Sequence, residues 1–382
     1  MRPLGLLVAV LLGACAGPAP APPPPQVVVP TDGLAAVAQR ELHRQHLVGL
    51  GVGVVVQGRV AWLGGFGYAD RTAEELLDPD LHQLRWASIS KTVNGAMAAR
   101  LAAGGRLDLD TPIRSMWSEA PAGPTVRQLL NHTSGVMSYD DGGVDPRPPL
   151  SDQLDPGRNT GFTWALPRWV GQPLLAYPGT AFAYSTLGHN LAGAAIGAAG
   201  ADEGEPADLG WLALLNSLTV DTAAAGVGPD VEWAPRPHRA KGYRLADDGL
   251  VYDSEDVDVS WKTPGAGLIS TVHGLAAWCA LLAGDRVLNT EAKALAWTPV
   301  TLADGTVSDY GLGFGLGERA GRRTVEHDGG QEKARTRLVL YPDEGLCFVA
   351  MTNTESASSR FPIEMRAVTD GLEDVIRAQR AP

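Results

Sequence analysis

The chain has 382 residues, is 45% hydrophobic and carries a net charge of −12. That is enough chain and apolar content for one large globular domain or two interleaved ones. The acidic balance, without a run of Lys or Arg, excludes a nucleic-acid binder, which needs clustered positive charge.

In chain order, Arg2 and the apolar Leu4 to Leu12 predict an export signal, whose core is too short to stay in a bilayer as a helix. Leu12-Gly13-Ala14-Cys15 resembles the lipobox of bacterial lipoproteins, which implies a signal peptide over 1–15 and a lipid anchor on Cys15 in the cell envelope. An ordinary signal peptide cut after Ala14-Cys15-Ala16 fits the same residues. The Pro/Ala-rich stretch 16–30 reads as a tether. No second membrane segment follows.

Leu34, Val37, Ala38 and Leu42 then mark one face of a helix. Val52 to Val56 and Val60 to Phe66, joined by Gln57-Gly58-Arg59, predict a hairpin. From Ser88 to about Ala240 helix patterns dominate, beginning with Val93 to Leu101, which ends at Gly104-Gly105 and which Ser88 would open. Strand patterns return at Leu312 to Gly317, Arg322 to His327, Arg337 to Tyr341 and Leu346 to Thr352. Met365, Val368, Leu372, Val375 and Ile376 line a closing helix ready to pack on a sheet. The expectation is an α+β fold: an antiparallel sheet built from both chain ends (31–80 plus 241–382), flanked by helices, with a mainly helical domain (81–240) inserted. A cleft between the two parts is the natural place for a site.

Ser88-Ile89-Ser90-Lys91 carries the chemistry. Residues three apart share a helix face, so the Lys91 amine can sit beside the Ser88 hydroxyl, a nucleophile with its base. Taken alone, the spacing is better read as an N-cap serine and a surface lysine. His43 and His46 read as surface residues, and the acidic stretch from Asp247 to Asp258 lacks the glycine and spacing of a calcium loop, so it reads as a solvated loop without metal. No metal or cofactor is expected. Cys279 and Cys347 are either buried thiols or one disulfide, and neither has the charged surroundings of a nucleophilic thiol.

Two further segments join Ser88 and Lys91: Tyr177-Pro178-Gly179-Thr180-Ala181-Phe182-Ala183-Tyr184-Ser185-Thr186 before a helix running to Ile196, and His327-Asp328-Gly329-Gly330 at a strand end. With Leu129-Leu130-Asn131-His132-Thr133-Ser134-Gly135 and Gly265-Ala266-Gly267-Leu268-Ile269-Ser270-Thr271, the set resembles the serine β-lactamase and D,D-peptidase superfamily, in its class C and R61-type carboxypeptidase branch. The resemblance implies roles residue by residue. Ser88 is the acylated nucleophile, Lys91 its base once burial and positive potential lower its pKa, and Tyr184 the proton shuttle. The backbone N–H groups of Ser88 and Gly330 form the oxyanion hole. Thr186, His327 and Gly329 contact substrate, with His327 giving a hydrogen bond or positive charge to a substrate carboxylate or to Tyr184. His132 is structural.

The chain departs from the family pattern where Thr186 replaces the asparagine of Y-x-N, offering a hydroxyl in place of an amide, and where Lys333-Ala334-Arg335 follows the His327 motif. Those cations either narrow the cleft or bind an acid, or else they point to solvent from a strand edge. The reading is an exported serine hydrolase that cleaves a small peptide, amide or ester through a Ser88 acyl-enzyme, as peptidase or esterase. The alternatives are a penicillin or cell-wall-peptide binding protein with little turnover, a true β-lactamase and, last, a silent scaffold.

Overall fold

A computed structural model describes residues 29–139, 141, 145, 147, 161–232, 236–356 and 358–379. The expected export signal, most of the tether and Cys15 lie outside the described residues. Among the described residues no helix is long and apolar enough to cross a membrane.

Seven strands form one antiparallel sheet: β1 (Gly49–Val56), β2 (Arg59–Asp70), β3 (Glu75–Leu76), β4 (Gly315–Arg319), β5 (Arg322–Gln331), β6 (Ala334–Tyr341) and β7 (Leu346–Thr352). Their order is β4-β5-β6-β7-β1-β2-β3. The early hairpin and the late meander therefore meet at β1 and β7, with Leu50 opposite Thr352 and Val55 opposite Cys347. The α+β sheet assembled from both chain ends is what the strand patterns predict.

Both faces are covered because the strands alternate. Leu50, Val52 and Val54 of β1 and Phe348 and Ala350 of β7 face α1 (Thr31–Arg44) and α6 (Met365–Ala378), where Leu34, Val37, Val368 and Leu372 complete a closed apolar layer. On the other face Val55, Cys347 and Val349 meet α5 (Val272–Ala283). Beyond α5 lies the helical part, centred on α2 (Ser90–Ala103), whose small residues Ala96, Ala98 and Ala99 are wholly buried. It is packed by α3 (Thr186–Gly200), α4 (Ala207–Thr219) and the short helix Thr290–Ala296.

Three strand expectations shift for physical reasons. The hairpin loop is two residues long, because Gln57 (φ 52°) and Gly58 (φ 68°) both take the left-handed conformation of a type I′ turn and Arg59 already pairs with Val56. Pairing in β4 starts at Gly315 instead of Leu312: Leu312 and Phe314 bury themselves in the helical part, with Leu312 N–H bonded to Ala296 and Gly313 N–H to Leu130. β5 runs on to Gln331, past the predicted end at His327. Since β4 pairs only as far as Glu326, residues 327–331 hydrogen-bond to β6 and keep their other edge without a strand partner among the described residues.

The acidic stretch is also tied down more than a solvated loop. Asp253 pairs with Lys241, Asp256 with Lys333, and buried Asp258 accepts hydrogen bonds from Ser260 and the Glu232 N–H. One Glu/His cluster, Glu75, His82 and His238, brings its side-chain donor atoms within 4.8 Å. His82 Nδ1 accepts the Asp78 N–H, which leaves the ring proton on Nε2, facing Glu75 at 2.8 Å. A ring so committed has no lone pair for a metal and works instead as a loop latch.

Cys279 on α5 and Cys347 on β7 form a disulfide that closes a separation of 68 residues. It staples the helix to the sheet behind the cleft. Alkylation of the denatured, unreduced protein should label neither cysteine, and a Cys279→Ser/Cys347→Ser variant should lose about 4 kcal/mol in urea unfolding, the chain-entropy value for such a loop. Labelling of both cysteines without reductant would contradict the bridge.

Candidate active site

Ser88 lies in a 3-10 turn, Ala87–Ile89, that runs directly into α2 at Ser90, so it precedes the α-helix instead of opening it. Ala87 before it is held at φ 48°, a left-handed conformation costly for a residue with a Cβ. The right-handed turn still places Lys91 over Ser88. The Lys91 Nζ is 3.1 Å from Ser88 Oγ, 3.1 Å from Thr186 Oγ1 and 2.8 Å from the Gly265 carbonyl. The lysine is 0% exposed, and burial, reinforced by the charge of Lys262, pushes its pKa well below the usual value.

The neutral amine this favours has two N–H bonds and one lone pair. The Gly265 carbonyl can only accept, so it takes one N–H. Thr186 Oγ1 takes the other, and the remaining lone pair faces the Ser88 hydroxyl. This arrangement can remove a proton from Ser88. Gly265 fits only as glycine, because a Cβ there would lie 2.7 Å from Thr186 Cγ2 and 2.8 Å from its carbonyl.

Tyr184 approaches from the segment before α3. Its hydroxyl lies within electrostatic reach of Ser88, and Lys91 Nζ is 4.7 Å from its ring centre. Burial raises its pKa, so the resting hydroxyl is protonated and able to donate. His132 props this segment. Its ring lies 4.2 Å from that of Tyr184, its Nδ1 accepts the Ser185 N–H at 3.1 Å, and its carbonyl accepts from Ala183. Burial keeps His132 uncharged.

The β5 edge forms the facing wall. Thr336 Oγ1, from the neighbouring β6 opposite Gly329, donates to the Trp86 carbonyl at 2.8 Å, and a Cβ on Gly329 would lie 2.5 Å from that oxygen and 3.1 Å from Ala87 Cβ. Gly329 thus serves close packing of β5 on the Ser88 turn, where substrate contact is the expectation. Thr186, also expected to touch substrate, is 1% exposed and holds Lys91 from beneath.

His327 departs most from expectation. Its Nδ1–H donates to the Asp328 carbonyl at 2.6 Å, and its Nε2 accepts from the Tyr310 hydroxyl at 2.7 Å. Burial pulls its pKa down to about 4. It is a neutral ring with both nitrogens engaged, so it offers neither charge nor a free donor. The question left by Lys333 and Arg335 resolves against the cleft. Lys333 pairs with Glu232 and Asp256, and Arg335 donates to the carbonyls of Gln331, Ala334 and Ser356.

Sequence reasoning misses Lys262 and Tyr310. Lys262 stands just before the Gly265-Ala266-Gly267 segment and was findable as a buried cation next to a motif; nothing local marks Tyr310.

Residues 34–372 match the family model described as Beta-lactamase. The chain is 24% identical to the mouse mitochondrial serine beta-lactamase-like protein LACTB over 391 residues, covering 78% of this chain and 70% of that one. It is 30% identical to esterase EstB of Burkholderia gladioli over 174 residues, 43% of this chain and 44% of that one. The D-amino acid amidase of Ochrobactrum anthropi SV3 superposes with a TM-score of 0.75 at 19% identity, over 92% of this chain and 100% of that one. The octameric penicillin-binding protein homologue of Pyrococcus abyssi does so with 0.70 at 21%, over 89% and 76%. With the family match spanning nearly the whole described chain, this protein belongs to the beta-lactamase family, a family of serine hydrolases.

Proposed function

We propose that the protein is an exported serine hydrolase that cleaves an amide or ester through an acyl-enzyme on Ser88. The observation that carries this is the wholly buried Lys91 amine, 3.1 Å from Ser88 Oγ with Thr186 Oγ1 and the Gly265 carbonyl as its other contacts. Lys91 takes the hydroxyl proton as Ser88 Oγ bonds to the substrate carbonyl carbon, and the oxyanion is held by the backbone N–H groups of Ser88 and Gly330. The proton passes through Tyr184 to the leaving nitrogen or oxygen as that bond breaks. Water then attacks the ester, with the same groups acting in reverse.

The leaving group faces Tyr184, and beside Tyr184 stands the uncharged His327 with Tyr310 and Phe182. A leaving group ending in carboxylate meets no cation from His327 there. That ranks an amidase or esterase with a neutral leaving group above a D,D-carboxypeptidase or true β-lactamase. The names of the amidase and esterase relatives agree with this ranking. Export is supported by the Cys279–Cys347 disulfide, since such bridges persist in oxidising compartments, and we assign the anchor to Cys15.

Intact mass of the protein lacking residues 1–27, after mixing with a p-nitrophenyl ester, should show an acyl adduct that decays and is absent in Ser88→Ala. An adduct that persists would favour the binding-protein reading, and equal turnover by Ser88→Ala would end the acyl-enzyme reading. A second comparison uses acyl-lactate against the matching acyl-lactamide. The neutral substrate should show kcat/KM higher by about tenfold or more, as expected when a buried carboxylate lacks its partner. Equal values, or preference for the acid, would reverse the ranking.

A further inference from the structure

A single residue grips the chain on both sides of Tyr184. His132, just past the short helix Val126–Leu130, accepts the Ala183 N–H on its carbonyl at 2.8 Å and the Ser185 N–H on its Nδ1 at 3.1 Å, and its ring lies 4.2 Å from the Tyr184 ring. The residues before and after the tyrosine are thus both fixed to His132. Tyr184 itself is 40% exposed, so packing does not close round it on every side.

Histidine carries two costs at this place. Its backbone is held at φ 63°, a left-handed conformation that glycine adopts without strain. With Nδ1 accepting from Ser185, the neutral ring must hold its proton on Nε2, and that N–H is buried with no partner among the described residues. An unpaired buried donor is destabilising. Glycine would remove the first cost, and leucine or phenylalanine the second. What none of them offers is an acceptor for Ser185, whose N–H stands at the cap of α3 and has no carbonyl of that helix to bond.

We propose that His132 is a positioning residue for leaving-group protonation, which holds Tyr184, through the Ser185 N–H, where its hydroxyl meets the leaving atom. This goes beyond the structural role that the resemblance implies, and it rests on the acyl-enzyme reading above. As the bond between the carbonyl carbon and the leaving oxygen breaks, the Tyr184 hydroxyl proton passes to that oxygen and is replaced from the Lys91 ammonium. An alkoxide needs that proton to depart, whereas p-nitrophenolate departs as the anion. Misplacing Tyr184 therefore slows alkyl esters selectively, while a loss of folded protein slows both kinds of ester equally.

The test compares kcat/KM for p-nitrophenyl butyrate and ethyl butyrate, which form one and the same acyl-enzyme, in wild type, Tyr184→Phe and three His132 variants. The ratio of the two values does not depend on how much of the enzyme is folded. Tyr184→Phe should raise the ratio of p-nitrophenyl to ethyl ester about hundredfold, the usual contribution of a general acid. His132→Gly, which suits φ 63° but has no acceptor, and His132→Phe, which keeps a ring, should each raise it about tenfold or more, since small misplacements of a reacting group are costly. His132→Asn, whose Oδ1 can take the Ser185 N–H and which tolerates a left-handed backbone, should stay within about threefold of wild type. A ratio raised as far in His132→Asn as in His132→Gly overturns the proposal, and so does a wild type that turns over only the p-nitrophenyl ester. If Tyr184→Phe raises the ratio and no His132 variant does, the positioning role fails and the acyl-enzyme stands. If Tyr184→Phe leaves the ratio unchanged, or wild type shows no Ser88-dependent turnover of either ester, the reading beneath the proposal fails with it.

Discussion

The site depends on keeping an amine without charge inside the protein. Water strongly favours a lysine ammonium, so a base of this kind exists only where the fold removes water and adds positive potential. Here α2 carries Lys91 wholly buried, and Lys262 supplies the potential. The neutral amine then has just enough donors for Gly265 and Thr186, and its lone pair is left for Ser88. The close fit of Gly265 on Thr186, the buried hydroxyl of Thr186 and the strained turn at Ala87 all serve that geometry.

The second constraint is that an α-helix and a sheet edge must present their ends at one point. The sheet is clamped to the Ser88 turn by the hydrogen bond of Thr336, on β6, to the Trp86 carbonyl and by a glycine at 329, on β5, that admits the turn backbone. The disulfide between α5 and β7 braces the sheet from behind. Early termination of β4 leaves the 327–331 edge without a strand partner among the described residues, an edge of the kind an extended chain can join as an added strand. At the His327 end of that edge the corner is neutral and aromatic, with His327, Tyr310 and Phe182 beside Tyr184.

Much of this was legible in the sequence, where chemistry and spacing are local. The serine and lysine three apart do meet, and the tyrosine before α3 closes on them. The hairpin, the late meander and the closing helix follow from alternation and helical periodicity. What escaped was set by distant partners. Tyr310 turns His327 from an expected donor into a satisfied neutral ring, and no local pattern announces that pairing. Thr186 reads as a substrate contact by motif but is buried, because α3 packs it against Gly265. Leu312 and Phe314 read as strand because they are apolar, yet the helical part offers them a better burial than the sheet edge. Two cysteines 68 positions apart carry no pairing signal of their own.

The most direct test of the neutral-lysine account is the pH dependence of Ser88 acylation, followed as the p-nitrophenolate burst in wild type and Lys262→Met. As pH falls through the Lys91 pKa the amine gains a proton and acylation is lost, so the acidic limb reports that pKa. The account predicts acylation at neutral pH with a limb far below the ordinary lysine value of about 10.4, and a limb displaced to higher pH in Lys262→Met, where the repelling charge is gone. A limb near that ordinary value, or one that Lys262→Met leaves in place, would contradict it.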